Sequence, residues 1–353
     1  MCAQILVPLD GSEVAEAALP CAEALARLAP STLYLVRAAP PEEEPLAAAY
    51  LARVATAVRA RGLVAEPVVA AGPPADAVVH EAAARAVDVI VMTTHGRTGP
   101  GRWVLGSVAD QVLHRTAQPV LLVRSGQATC AERPRRVLVP LDGSELAERA
   151  LVHSRALVGP GGELLLYQAL APATPVVPDA GADSPWTEQL EATRAAALAY
   201  LEKVAAPLRA AGYQVRVAAE FGVAAERIVQ YARQEHADLI VISGHGRSGA
   251  ARWLLGSVAD ELVRSAPVPL LLLRPLLAVA TAPLAPARPR VTSLAAAPPP
   301  PTTLALSGRQ AQLVRLALEN LLWDTRHEEA LAGELRALLE RLPAAPAAPE
   351  RSD

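Results

Sequence analysis

The chain states part of itself twice. Val-Pro-Leu-Asp-Gly-Ser occupies residues 7–12 and again 139–144. A longer phrase, His-Gly-Arg-(Thr/Ser)-Gly-x-x-Arg-Trp-(Val/Leu)-Leu-Gly-Ser-Val-Ala-Asp, occupies residues 95–110 and again 245–260. A 353-residue chain is long for one core at about 100 to 200 residues per domain. The repeat therefore sets the domain count at two, plus a tail. Both phrases are rich in Gly, Ser and Asp, residues that let backbone amides approach a ligand closely.

Between the phrases, apolar runs alternate with segments of helical spacing. In the first copy residues 3–9, 32–38, 63–70, 87–93 and 119–124 read as strands, and 12–28, 45–61, 74–86 and 107–116 as helices, with Ser12 a candidate N-cap. The second copy repeats the order, with strands at 137–141, 163–169, 214–220, 239–243 and 269–274 and helices at 145–157, 188–211, 225–235 and 257–265. Strict alternation of short apolar strands with helices predicts an α/β fold, a doubly wound parallel five-stranded sheet in each copy. Asp10 and Asp142 are 132 residues apart, but His95 and His245 are 150 apart, so about 18 extra residues enter the second copy. The Pro-, Ala- and Gly-containing segment 172–186 is where they fit, as a solvated loop or, alternatively, a lid that closes on a ligand.

The predicted boundaries are a first domain at 1–124, a polar linker at 125–134, a second domain at 135–274, a Pro- and Ala-rich linker at 275–305, a helical hairpin at 306–342 and a disordered end at 343–353. Capping-box patterns at Ser307 and Thr325 would open the hairpin's helices. Leu313, Leu316, Leu318, Leu322, Leu331, Leu335, Leu338 and Leu339 give the hairpin an apolar stripe suited to a protein partner or self-association.

Composition removes several classes of function. The net charge is −3 and no basic run exists, which argues against nucleic acid as the partner. The only lysine, Lys203, precedes Val204, so no Walker-type Gly-Lys-Ser/Thr is present. Cys2, Cys21 and Cys130 show no paired spacing, and the expectation is three single thiols, no zinc site and a reducing cytoplasmic setting. No apolar run is long enough to span a bilayer, so a membrane is not an expected partner.

Ligands of open parallel sheets bind beyond the carboxyl ends of strands, where the winding reverses. The first phrase ends strand one; the second follows strand four and leads through Gly106-Ser107 into a helix. If strands one and four are neighbours, both phrases open into one crevice. A Gly-Ser helix start presents unpaired amides suited to phosphate, and an Asp at the end of strand one suits sugar hydroxyls. Together they describe a nucleotide site: Asp10, Gly96, Gly106 and Ser107, mirrored by Asp142, Gly246, Gly256 and Ser257.

The longer phrase, preceded by an apolar strand and followed by Pro-Val-Leu-Leu-Val-Arg in the first copy, resembles the universal stress protein family, and the chain resembles a tandem member over residues 1–124 and 135–274. The resemblance implies a Rossmann-like sheet of the adenine nucleotide alpha hydrolase kind. In many members it also implies ATP held by Gly-x-x-Gly, nine residues, then Gly-(Ser/Thr). Here Gly96 and Gly246 match the second glycine, while Thr93 and Ser243 stand in place of the first. By the same resemblance Asp10 and Asp142 approach the ribose, and Ala38 and Ala169 line the adenine. The candidate contacts in full are Pro8, Asp10, Gly11, Ser12, Ala38, Thr93, Gly96, Arg97, Gly106, Ser107 and Val108, then Pro140, Asp142, Gly143, Ser144, Ala169, Ser243, Gly246, Arg247, Gly256, Ser257 and Val258. Arg97 and Arg247 are placed to reach a γ-phosphate. Any Mg²⁺ is expected to be held through the nucleotide and not by a protein cage.

No nucleophile or second acid stands at a fixed spacing from His95 or His245, which read as turn histidines, and no water-activating base is recognisable. No catalytic residue is assigned. The functional expectation is a stress-response regulator that binds ATP; the alternatives are an adaptor acting through its helical tail and a slow ATPase. Family members commonly pair through strand five, so residues 120–124 and 270–274 are expected to pair within the chain.

Overall fold

The structure, a computed structural model, describes residues 3–94, 105–124, 130–159, 161–171, 185–244 and 256–273, without side-chain detail for 185–187. The chain divides into a unit at 1–282 and a second at 283–353. The expected linker at 275–305 and hairpin at 306–342 lie outside the described residues.

The first copy runs β1 (Gln4–Pro8), α1 (Glu13–Glu16), α2 (Leu19–Ala26), β2 (Thr32–Ala38), α3 (Glu44–Ala60), β3 (Val64–Ala70), α4 (Pro74–Ala84), β4 (Val89–Thr93), α5 (Ser107–Arg115) and β5 (Val120–Val123). The second runs β6 (Arg136–Pro140), α6 (Glu145–Glu148), α7 (Ala150–Val158), β7 (Glu163–Leu170), α8 (Pro185–Ala210), β8 (Gln214–Phe221), α9 (Ala224–Gln234), β9 (Leu239–Ser243), α10 (Ser257–Ser265) and β10 (Leu270–Leu273). The single helix expected at 12–28 is two. Pro20 sits in the first turn of α2 and has no N–H to continue the ladder from α1, so the helix restarts there.

The ten strands form one sheet, ordered β3-β2-β1-β4-β5-β10-β9-β6-β7-β8. Within each half every pair is parallel. At the centre β10 pairs with β5 antiparallel, Leu270 opposite Leu122, Leu271 opposite Leu121 and Leu272 opposite Val120. The two five-stranded sheets thus fuse through their fifth strands, related by an approximate two-fold, and their carboxyl ends point to opposite edges.

Side-chain alternation sorts the core into two layers. On one face Leu121 and Leu271 join Leu25 of α2, Val54 of α3, Leu157 of α7 and Leu201 of α8; on the other Leu122 and Leu270 join Val78 of α4, Val112 of α5, Ile228 of α9 and Leu262 of α10. Each layer contains residues of both copies, so the seam is core and not surface. The aliphatic strands make this possible, because both faces are covered.

Two further features recur. Asp88 Oδ2 accepts from the backbone N–H of Ala3 and Gln4 at 2.6 and 2.9 Å, and Asp238 Oδ2 from Arg135 and Arg136 at 2.7 and 2.9 Å. These carboxylates tie the start of each first strand to the turn before each fourth. Ala86 and His236 close α4 and α9 in the left-handed region, at φ 47° and 50°, with Val87 and Ala237 donating back to Ala82 and Ala232.

The cysteines depart from expectation. Cys21 in α2 and Cys130 in the linker form a disulfide, with Cα atoms 5.1 Å apart and 109 residues between them. Linear spacing carries no trace of this pairing, which exists because the linker folds back onto the first copy.

In the second copy the ring of Tyr167 stacks on Tyr231 with centroids 4.5 Å apart, and its hydroxyl donates to Glu220 at 3.2 Å. Burial, then the Glu235 carboxylate, pushes the Tyr231 phenol from 10.0 up to about 12. Burial, then Glu220, raises Tyr167, and burial with the Glu16 hydrogen bond raises Tyr50. A phenol whose folded pKa exceeds its unfolded one stabilises the fold while neutral, below pH 10, and loses that contribution as pH rises through 10 toward 12. Alkaline titration by tyrosinate absorbance should show these three of the six tyrosines ionising late, together with loss of helical circular dichroism. Ionisation of all six near the ordinary value with the fold intact would refute the assignment.

Candidate functional site

Because β1 lies between β2 and β4, the winding reverses at β1/β4, and likewise at β6/β9. The carboxyl ends of these strands open into one cleft per copy, of about 270 Å³ in the first and 280 Å³ in the second.

The first cleft is lined by Pro8 and Asp10 after β1, Ala38 of β2, Thr93 of β4, and Gly106, Ser107 and Val108 at the start of α5. The second repeats this with Pro140, Asp142, Ala169, Ser243, Gly256, Ser257 and Val258. Gly11, Ser12, Gly143 and Ser144 do not line the clefts. They build the turn that presents the aspartate: Gly11 and Gly143 adopt φ of 89° and 86°, where an L side chain is strained. Ser12 donates to Asp10 Oδ1 from its N–H at 2.9 Å and its hydroxyl at 2.6 Å, while accepting from the Ala15 N–H at 3.1 Å as the cap of α1. Ser144 makes the matching bonds to Asp142 at 3.0 and 2.6 Å, and accepts from Ala147 at 3.2 Å. One hydroxyl thus starts the helix and fixes the carboxylate at the cleft mouth.

Opposite the aspartate, α5 and α10 begin without a side-chain cap at Gly106 and Gly256. The first N–H groups of a helix have no intrahelical acceptor, and here those of Ser107, Val108 and Ala109, or Ser257, Val258 and Ala259, face this end of the cleft. Gly106 N–H bonds the Thr94 carbonyl at 2.8 Å, and Gly256 that of Gly244 at 2.7 Å, docking each helix start on the end of strand four. Thr93 and Ser243 are both 7 % exposed, and they line the clefts from the strand ends. Gly96, Arg97, Gly246, Arg247 and the histidines His95 and His245 lie outside the described residues.

Several lining residues escaped sequence reasoning: Val36, Pro74, Val78 and Met92 in the first copy, and Ala224, Ile228 and Ile242 in the second. Pro74/Val78 and Ala224/Ile228 sit four apart in the first turns of α4 and α9, and that spacing was the available signal. These residues make an apolar wall across from the aspartate. The arrangement offers an apolar slot, an acceptor for hydroxyls, and a helix end for an anion. Among the described residues, no three His, Cys, Asp or Glu side chains group to hold a metal ion.

The capping role generates a prediction. Ser12→Ala and Ser144→Ala should each destabilise the fold by about 1 kcal/mol, the typical loss of a serine cap. They should add in the double variant, being far apart. Urea unfolding with unchanged midpoints would show that the hydroxyls do not carry this role.

The universal stress protein family profile matches residues 1–124 and 134–274. A universal stress protein of Mycobacterium tuberculosis (strain ATCC 25618 / H37Rv) is 30 % identical over 303 residues, covering 76 % of this chain and 96 % of its own length. One from Mycolicibacterium smegmatis is 29 % identical over 200 residues, 55 % of this chain and 64 % of that relative, so that match spans under two thirds of the relative. Among solved structures, a universal stress protein from Archaeoglobus fulgidus superposes with a TM-score of 0.56 at 22 % identity, covering 77 % of this chain and 98 % of its own. One from Pseudomonas aeruginosa UCBPP-PA14, solved as a putative family member, gives 0.58 at 19 %, covering 77 % and 93 %. No helix among the described residues is long and apolar enough to cross a membrane. With the profile matching both copies and the fold shared with solved members, this chain belongs to the universal stress protein family as a tandem, two-domain member.

Proposed function

We propose that each copy binds an adenine nucleotide, ATP, and that occupancy regulates the protein in a stress response. One observation carries the reading: in both copies an aspartate held by its own turn faces an uncapped helix start across an apolar cleft. Base stacks against the apolar wall near Ala38 or Ala169, ribose hydroxyls donate to Asp10 or Asp142, and phosphates accept from the first amides of α5 or α10. The clefts lie near the lower bound of small-molecule sites, about 300 Å³. That suits a base and sugar, with the phosphates lying outward along the helix end. Thr93 and Ser243 keep the backbone amide that the missing glycine would supply. With Asp10 and Asp142 engaged by the ribose in this reading, storage and sensing of the nucleotide fit better than rapid hydrolysis.

Gly106 and Gly256 have φ/ψ of −65°/143° and −62°/149°, conformations open to any residue. Valine there tests the approach of phosphate to backbone and not the turn itself. Gly106→Val with Gly256→Val should weaken ATP binding at least about tenfold, near 1.4 kcal/mol per site, by calorimetry. A folded double variant with unchanged affinity defeats the site assignment. Nucleotide that co-purifies with the native chain supports the reading; none found, and none bound on addition, supports the adaptor in its place.

The metal prediction follows from the same chemistry. Mg²⁺ is expected to enter only with ATP, bound through phosphate oxygens and water. Titrating Mg²⁺ or Mn²⁺ into nucleotide-free protein should give no heat of tight binding, and a tight site there would contradict the proposal.

A further inference from the structure

The second copy has no counterpart of the Cys21–Cys130 disulfide, since the chain holds only three cysteines. Cys21 of α2 is 2 % exposed, whereas the residue 132 positions on, His153 of α7, stands at the surface. Leu25 of α2 and Leu157 of α7, one turn further along each helix, nonetheless pack into the same core layer. Thus α7 takes up the place of α2 with no covalent bond to hold it. The second copy serves as a built-in control, and it shows that this fold does not require the cross-link.

What the bond does hold is the linker. Residues 130–136 are fixed at both ends, at Cys130 by the disulfide, and at Arg135 and Arg136 by their N–H groups on Asp238 Oδ2 at 2.7 and 2.9 Å. Between these anchors Ala131, Glu132 and Arg133 are exposed. The Arg133 guanidinium lies against Gly159 after α7, where a Cβ would overlap it, so this short stretch touches both copies. Opening the disulfide removes one of its two backbone anchors.

We propose that Cys21 and Cys130 are a reversible thiol–disulfide switch that fixes or frees this linker, with small thiols and disulfides of the glutathione class as the exchanging partners. Cys130 is partly exposed and Cys21 is buried, so an entering thiolate attacks the Cys130 sulfur. A mixed disulfide forms there, and Cys21 leaves as a thiolate that takes a proton from water. A second small thiol then releases Cys130. The electrons that reduce the protein come from the two small thiols, which end joined as one disulfide. The reverse exchange, with a small disulfide as oxidant, remakes the bond between Cα atoms 5.1 Å apart, inside the range of about 4.4–6.8 Å that disulfides span. The switch is independent of the nucleotide proposal.

The test uses the full chain carrying Cys2→Ser, which leaves the pair as its only cysteines. The folded protein is equilibrated in glutathione buffers from oxidising to reducing and trapped with an alkylating reagent, and the state of Cys21 and Cys130 is read by mass spectrometry. Cleavage after Glu132 by glutamyl endopeptidase reads the linker. Complete interconversion is expected with circular dichroism unchanged, and cleavage about tenfold faster in the reduced form. A Cys130→Ala chain should be cleaved at the reduced-form rate in every buffer. A bond that opens only when the protein unfolds overturns the proposal, as does a bond that fails to form in oxidising buffer. Equal cleavage of the two forms overturns it too, and so does loss of circular dichroism on reduction. A stable glutathione adduct on Cys130 in place of the bond overturns it in favour of single-thiol modification.

Discussion

Everything in the described fold hangs on the antiparallel pairing of β5 with β10. A five-stranded parallel sheet ending at strand five would expose a row of unpaired amides and carbonyls along a strand made of Val and Leu. Here each copy supplies the other's missing neighbour. Because Leu121 and Leu271 face one layer and Leu122 and Leu270 the other, the seam joins the copies by hydrogen bonds and by core packing at once. Neither copy can move as a rigid body against the other without breaking both layers, which separates this junction from the polar interfaces usual between linked domains.

The same pairing frees the two halves to differ. In a symmetric homodimer each substitution appears on both sides of the axis. A covalent tandem escapes that rule, and this chain has used the freedom. Cys21 is matched by His153. Arg37, whose guanidinium lies 5.3 Å over the Tyr50 ring, is matched by Gln168, and Val36 by Tyr167. The clefts have nonetheless kept nearly the same volume and the same Asp, Gly and Ser. The hydrogen bonds of the turn that orients each aspartate match in length to a tenth of an ångström between the copies.

The succession of strands and helices along the chain was legible because strand periodicity and helix caps are local. β2 and β9 have the bounds that alternation predicts, and Ser12 caps where its spacing says it should. The position of Asp10 and Gly106 on one cleft was readable only through a rule of sheet topology, and it required β1 and β4 to be neighbours. What escaped was long-range. Cys21 and Cys130 meet through the path of a linker that has no periodicity. Pro74 and Val78 reach the cleft through the packing of α4 against the sheet, with only their four-residue spacing to mark them, and Met92 reaches it from β4. Gly11 and Ser12 look like ligand contacts in sequence because they adjoin the aspartate. In space they build the turn that holds it, the glycine at positive φ and the serine as cap and donor to the carboxylate.

The position of β10 at the end of the sheet's second half has a consequence for how the chain is made. β5 finds its antiparallel neighbour only when residues 270–273 have been synthesised, about 150 residues after β5 itself. At 5–20 residues per second that delay is on the order of 8 to 30 s. For that interval the first half, though already able to close β3-β2-β1-β4-β5, presents Val120–Val123 as a bare apolar edge on the ribosome-bound chain. Nascent chains on one messenger therefore carry identical open edges close together, and pairing between neighbours competes with pairing within each chain until β10 arrives.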